Sequence, residues 1–353
     1  MKRFLLKSTF FIIPLIILII LTNYFVDPAN LFSNDYEDGL AEILHDGKNA
    51  AGVYDYNERI FQKKYIEKMD SKLDLAVLGS SRSLQIREEF FDVDQFFNHG
   101  VSGAVLEDYI AITEIYRENN LLPEKIILGL NPWIFNKNNV ETRWESIDEY
   151  YYAFLGENIE NEEIILEEKF GRYYKQLLSP TYFQSSVEML LRGEAFSDYY
   201  STDKENLEIP VKREDGSLVY EEKRRRISAE DAEVQAQNYI RNGVYSLERF
   251  EEIDPRYLEQ FKKMVDFYKD KDVEIVFYLP PYHPLVFDYI KKQEDYRIMF
   301  DVENYLRKFA EEKNIEVVGS YDYRRLDLNK SDFHDGMHPK ENVMEELFTD
   351  LDI

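Results

Sequence analysis

The chain has no cysteine at any of its 353 positions. That excludes disulfides, thiolate metal sites and a cysteine nucleophile, and it means that even an exported fold relies on no crosslink. Histidine is scarce too. The five histidines are scattered with no metal-ligand spacing, so neither a metal site nor a cofactor is expected. Positive charge is in deficit: 43 Lys and Arg stand against 69 Asp and Glu, a net charge of −26. A surface this acidic repels phosphate backbones and argues against a nucleic-acid partner. Internal repeats and low-complexity tracts are missing, and there is one long apolar run rather than several.

What is present is a core-forming composition. Apolar residues make up 44% of the chain, with 27 Tyr and 24 Phe, enough for one large domain with insertions or for two smaller ones. The apolar run lies at the N-terminus, where Lys2, Arg3 and Lys7 precede an uncharged stretch from Ser8 to Val26. Its length approaches the roughly 20 residues of a membrane-crossing helix. Basic residues on the short side predict a cytoplasmic N-terminus, and the absence of a small-x-small site argues against a cleaved signal peptide. The expectation is a cell-membrane protein with a single-pass anchor over residues 1–27 and the bilayer as a partner. A juxtamembrane connection over 28–70, with an opening helix at 57–68, leads to an extracytoplasmic domain over 71–353.

From residue 71 the pattern predicts an α/β fold. Strands are expected at Leu73–Leu78, Gln95–Asn98, Lys125–Leu130, Val273–Leu279 and Ile315–Val318. A short helix from about Ser83 and longer helices at 106–119, 257–269, 299–313 and from 341 separate or follow them. The third strand, Lys-Ile-Ile-Leu-Gly-Leu, lacks alternation, as expected of a strand covered on both faces. Residues 136–250 break the pattern. They are tyrosine-rich and acidic with little strand character, and they read as a large, mostly helical insertion lying over the sheet. Its charge run Glu221–Arg226 reads as solvated surface.

Ligands of an open parallel sheet bind outside the carboxyl ends of its strands. Four polar elements each follow an expected strand: Gly79-Ser80-Ser81, Val101-Ser102-Gly103, Gly129-Leu130-Asn131 and Asp335-Gly336-Met337-His338. Each alone suits a turn or a surface loop. Together they offer a nucleophile in Ser81, a base in His338 and, three residues earlier, Asp335 to orient the ring. The backbone N–H groups of Ser81 and Gly103 and the Asn131 amide would form an oxyanion hole. Arg82 and His283 are candidate substrate contacts, Arg82 for an anionic group and His283 also as a reserve base. His99 and His334 read as turn or surface residues.

In order and type these four blocks resemble the SGNH (GDSL-like) hydrolase superfamily. Gly79-Ser80-Ser81 stands where that family has Gly-Asp-Ser, Gly103 where it has the block-two glycine, Gly129-Leu130-Asn131-Pro132 where it has Gly-x-Asn-Asp, and Asp335 to His338 where it has Asp-x-x-His. Ser80 and Pro132 depart from the family's aspartates. The resemblance spans about residues 70–135 and 255–345. It implies a three-layer, flavodoxin-like parallel sheet flanked by helices, with Ser81 rather than Ser80 as nucleophile. With an N-terminal anchor, it is similar to the membrane-bound branch that includes the D-alanyl transfer protein DltD and exopolysaccharide O-acyltransferases. The implied function is a serine acyltransferase or esterase acting on a cell-surface glycan or glycopolymer, with a membrane O-acyltransferase as a possible partner. The competing expectation is a non-catalytic scaffold or binding protein in a cell-envelope polysaccharide modification system.

Overall fold

The computed structural model describes residues 2–27, 35–54, 56–156, 174–175, 177–192, 199–349 and 351. The expected juxtamembrane stretch at 28–34 and part of the insertion, 157–173, lie outside the described residues. Among those described, nine strands form two sheets. In chain order they are β1 (Asn49–Ala51), β2 (Leu75–Leu78), β3 (Phe96–Asn98), β4 (Lys125–Gly129), β5 (Tyr200–Thr202), β6 (Val211–Lys212), β7 (Leu218–Val219), β8 (Glu274–Leu279) and β9 (Glu316–Gly319).

The larger sheet has the order β3-β2-β4-β8-β9 and every pairing in it is parallel. Counted within the sheet, that is the 2-1-3-4-5 order of flavodoxin-like folds, with a topological switch point beside β2. Helices cover both faces because its central strands carry apolar side chains on both. Leu75 and Val77 face one side with Ile127, Val276 and Tyr278, and helix Glu341–Phe348 closes over them through Met344 and Phe348. Ala76 and Leu78 face the other side, against Tyr109, Ile112, Phe261 and Val302 from the crossover helices. The two-residue period of a strand makes this division automatic.

Among the described residues the insertion is mostly helical, but it also carries short strands that its sequence does not show. Three of its short strands, β5, β6 and β7, join β1 in a second, antiparallel sheet of order β5-β1-β6-β7. Strands of two or three residues leave no alternation to read, and their partner lies about 150 residues earlier in the chain. The helix expected from Ser83 is also absent. The chain there makes tight turns, with Ser83 N–H donating to Ser80 C=O at 2.9 Å and Ile86 N–H to Ser83 C=O at 3.0 Å.

The expected single-pass membrane localisation is corrected by the fold. Among the described residues no helix is long and apolar enough to cross a membrane. The N-terminal helix runs Lys2–Val26. Its last turn is committed to protein. Asn23 Nδ2 donates to Leu177 C=O at 3.0 Å, Ser186 Oγ donates to Asn23 Oδ1 at 3.2 Å, and Tyr182 OH donates to Asp27 Oδ1 at 2.6 Å.

Candidate active site

The nucleophile turn begins at Gly79, directly after β2, beside Gly129, the last residue of β4. A Cβ on Gly79 or Gly129 would fall 2.3 or 2.2 Å from Ser83 Oγ, so only glycine lets the Ser83 side chain tuck between the two strand ends. The chain then leaves β2 through Ser80 and Ser81, whose side chains part. Ser80 is fully buried, and its Oγ accepts from Asn131 Nδ2 at 3.0 Å and from the Arg82 N–H at 3.2 Å. Ser81, half-buried, turns the other way and places Oγ 2.8 Å from His338 Nε2.

His338 Nδ1 lies 2.9 and 2.8 Å from the two oxygens of Asp335. An ionised carboxylate only accepts, so Nδ1 carries the ring proton and Nε2 is left to accept from the Ser81 hydroxyl. Oδ1 of Asp335 also accepts from the N–H groups of Met337 at 2.9 Å and His338 at 3.0 Å. Burial opposes ionisation of Asp335, but the neighbouring His338 and Arg224 and the Met337 N–H outweigh it and hold the carboxyl well below its ordinary range.

Two side chains of the nucleophile turn fasten it to the loop that carries the base. Gln85 Nε2 donates to Pro339 C=O at 2.8 Å. Arg82, 2% exposed, contributes more. Its Nε donates to Met337 C=O at 2.9 Å, Nη1 to Asn131 Oδ1 at 3.1 Å, and Nη2 to the Pro280 and Pro281 carbonyls at 2.6 and 2.7 Å. The guanidinium also lies 4.1 Å over the Tyr282 ring. Arg82 thus faces inward and ties the ends of β2, β4 and β8 to the Asp335–His338 loop. With its donors on carbonyls it is not placed as the anion contact expected from the sequence.

The other expected residues are distributed unevenly. Gly103 has φ +64°, a left-handed conformation that favours glycine, and Arg143 Nη2, Tyr245 OH and Glu141 Oε2 stand 2.6, 2.6 and 2.9 Å from where its Cβ would be. Among the described residues, the Ser81 and Gly103 N–H groups have no protein acceptor. Asn131 differs from its expected oxyanion role. It is fully buried, and its amide donates to Ser80 Oγ and, at 3.4 Å, to Gly129 C=O. His283 caps helix Pro284–Lys292, with Nδ1 accepting from the Leu285 N–H at 3.1 Å. It is 1% exposed and beyond direct reach from solvent, its Nε2 has no partner, and burial pushes its pKa down to about 4. It therefore supports the loop, its own N–H donating to Gly336 C=O at 3.1 Å.

Two histidines expected at turns or on the surface are instead built in. His99 is fully buried between Gln62 and Tyr116. His334 is 3% exposed and meets Arg224 C=O and Gln85 Oε1. Residues of the insertion that sequence reasoning left aside also reach the site. Arg224 Nη2 lies 3.1 Å from Asp335 Oδ2, and the Tyr239 ring comes within 2.8 Å of where a Gly336 Cβ would be. Nothing in the residue order points to them, since a charge run and scattered tyrosines suit solvated helices equally well. Among the described residues no group of His, Asp and Glu is arranged to hold a metal ion.

No family model matches the chain, and no curated protein matches it. Among solved structures it is similar to the crystal structure of a "putative acylhydrolase" from Bacteroides fragilis, with a TM-score of 0.37 and 10% sequence identity over 81% of this chain and 90% of that one. That likeness is too loose to bear on chemistry, and the functional reading rests on the geometry of the site.

Proposed function

We propose that the protein is a serine acyl-transfer enzyme, an esterase or O-acyltransferase, whose relay is Ser81, His338 and Asp335. The observation that carries this reading is the unbroken hydrogen-bond chain from Ser81 Oγ through both ring nitrogens of His338 to Asp335, 2.8 Å at either end. Ser81 Oγ would attack an acyl carbonyl as its proton passes to His338 Nε2. The Ser81 and Gly103 N–H groups would receive the developing oxyanion. Collapse of the tetrahedral intermediate expels the alcohol, which takes the proton back from His338 and leaves an acyl-serine. A second hydroxyl, from water or an acceptor, gives its proton to His338 as it attacks the acyl-serine; the new intermediate collapses, the acid or new ester leaves, and Ser81 Oγ takes the proton back from His338.

For the alcohol and acceptor we propose a carbohydrate hydroxyl. Support comes from the aromatic and polar side chains that the insertion sets beside the two glycines of the site: Tyr239 against Gly336, and Tyr245, Arg143 and Glu141 against Gly103. Rings that stack on a sugar face, next to paired donors and acceptors, suit such a ligand.

The test is labelling of the full chain with a fluorophosphonate probe, followed by product analysis with O-acylated sugars. Wild type and Ser80→Ala should label, and Ser81→Ala should not. An unlabelled wild type, or a Ser81→Ala variant that still labels, overturns the nucleophile assignment. Release of free acid, as against appearance of a newly acylated sugar, separates hydrolysis from transfer.

A further inference from the structure

Arg224 belongs to the charge run Glu221–Arg226, yet it turns toward the relay. Its guanidinium donates to Asp335 Oδ2 at 3.1 Å and lies 3.8 Å over the Tyr220 ring. The segment around it is pinned to the loop that carries the base. His334 Nδ1 donates to Arg224 C=O at 3.0 Å, and Lys340 Nζ donates to Ile227 C=O at 3.3 Å. Arg225 Nε closes the segment on itself by donating to Tyr220 C=O at 2.7 Å.

The two oxygens of Asp335 are therefore held differently. Oδ1 is fixed by backbone N–H groups of its own loop, whereas Oδ2 is held from outside by the insertion. We propose that Arg224 is a positioning residue of the relay, by which the insertion fixes the outer oxygen of Asp335 and so sets the orientation of His338 and the pH range in which Ser81 is activated. This inference rests on the acyl-transfer reading of the site.

The groups facing Asp335 and His338 leave Arg224 in a distinct position. Tyr220 from the same segment and Tyr239 from helix Ala229–Arg241 are phenols whose pKa burial raises. His283, from the loop after β8, and His334, from the relay's own loop, are pushed down to about 4 by burial and are neutral near pH 7. Arg82 beneath the loop spends its donors on carbonyls and Asn131. Among the described residues Arg224 is thus the arginine or lysine in direct contact with the carboxylate.

The experiment compares wild type with Arg224→Ala, Arg224→Gln and Arg224→Lys in the full chain. In the Ala and Gln variants kcat for a small ester should fall about tenfold with KM little changed. The acidic limb of the pH–rate profile should move, because the guanidinium no longer holds the outer oxygen of Asp335 beside the ring. Arg224→Lys should restore the limb but only part of the rate, since an ammonium lacks the planar fork and the stacking face. The downfield His338 Nδ1–H proton resonance should shift or broaden in the Ala and Gln variants, a readout that needs no turnover. An unmoved limb, or in an inactive protein an unmoved resonance, overturns the role of Arg224. A wild type that neither labels nor turns over, with a resonance that does move, overturns the acyl-transfer reading and leaves the Arg224 contact standing.

Discussion

The side-chain amide of Asn131 donates to Ser80 Oγ at 3.0 Å, and this bond separates the two adjacent serines. It holds Ser80 in the interior, beneath the turn, while Ser81 stands half-exposed with its hydroxyl against His338. Replacing Ser80 with Ala should cost about 1–2 kcal/mol of stability, because the Asn131 N–H and the Arg82 N–H lose an acceptor. Activity should stay within about tenfold of wild type. Ser81→Ala should instead lower kcat by on the order of 10⁴ or more. Urea melts and ester hydrolysis measured on both variants decide this.

The inward guanidinium makes a second prediction. Arg82→Ala strands the Met337, Pro280 and Pro281 carbonyls and Asn131 Oδ1 in the interior. A loss of about 3–5 kcal/mol is expected, the range for breaking a buried charged network. Arg82→Lys should recover little of it, since a single ammonium cannot reach the spread of acceptors that the fork spans. Denaturant midpoints of the two variants provide the check.

Stability should fall as the medium is acidified below neutrality, before most carboxylates respond. His283 and His334 are held neutral to about pH 4, and His99 is pushed well below its ordinary value, each chiefly by burial. An unfolded histidine takes up a proton near pH 6.5, so below that value the unfolded chain binds protons that the folded chain refuses. The stability these groups contribute is present above pH 6.5 and is lost as pH falls toward 4. The slope is about 1.4 kcal/mol per pH unit for each histidine. For His283 and His334 together the loss between pH 7 and 5.5 is about 2.5 kcal/mol. Carboxyls that burial pushes up, such as Glu107 and Glu114, act in the opposite sense at lower pH. Urea titrations at pH 7 and 5.5 measure the loss, and a His283→Asn, His334→Gln double variant should flatten it.

Asp335→Asn tests the orientation of the base. A neutral amide can present its NH₂ to His338 Nδ1, which moves the ring proton to Nε2 and leaves Ser81 without an acceptor. The expected drop in kcat is on the order of 10⁴ with the fold intact. Fluorophosphonate labelling rate reads the effect directly. A variant that labels at the wild-type rate would remove Asp335 from the relay.

Much of the sheet was legible in the chain. Unbroken apolar runs such as Leu75–Leu78 and Ile126–Leu128 signal strands covered on both faces, and chain polarity places the residues that follow them at one edge. The spacing of Asp335 and His338 keeps the carboxylate within one turn of the ring wherever the loop lies. Less visible was the direction of individual side chains. Arg82 follows Ser81 as though exposed with it, and only the convergence of the β4 and β8 ends shows that carbonyls, not an anion, receive its donors. Asn131 is a second such case, since a residue after a strand can face the substrate or the turn beneath it, and its amide donates to Ser80 Oγ.

Residue order alone was enough to establish an acidic α/β chain without thiol chemistry, the strand sequence of its parallel sheet, and four polar loops that follow those strands. These follow from composition and short-range periodicity, which a single sequence records. The second sheet, the inward turn of Arg82 and the placing of Arg224 on Asp335 were decided by tertiary structure. Each joins residues far apart in the chain, Arg224 and Asp335 by 111 positions. Such a pairing gains its energy only where packing brings the partners together and excludes water, and no local pattern encodes that.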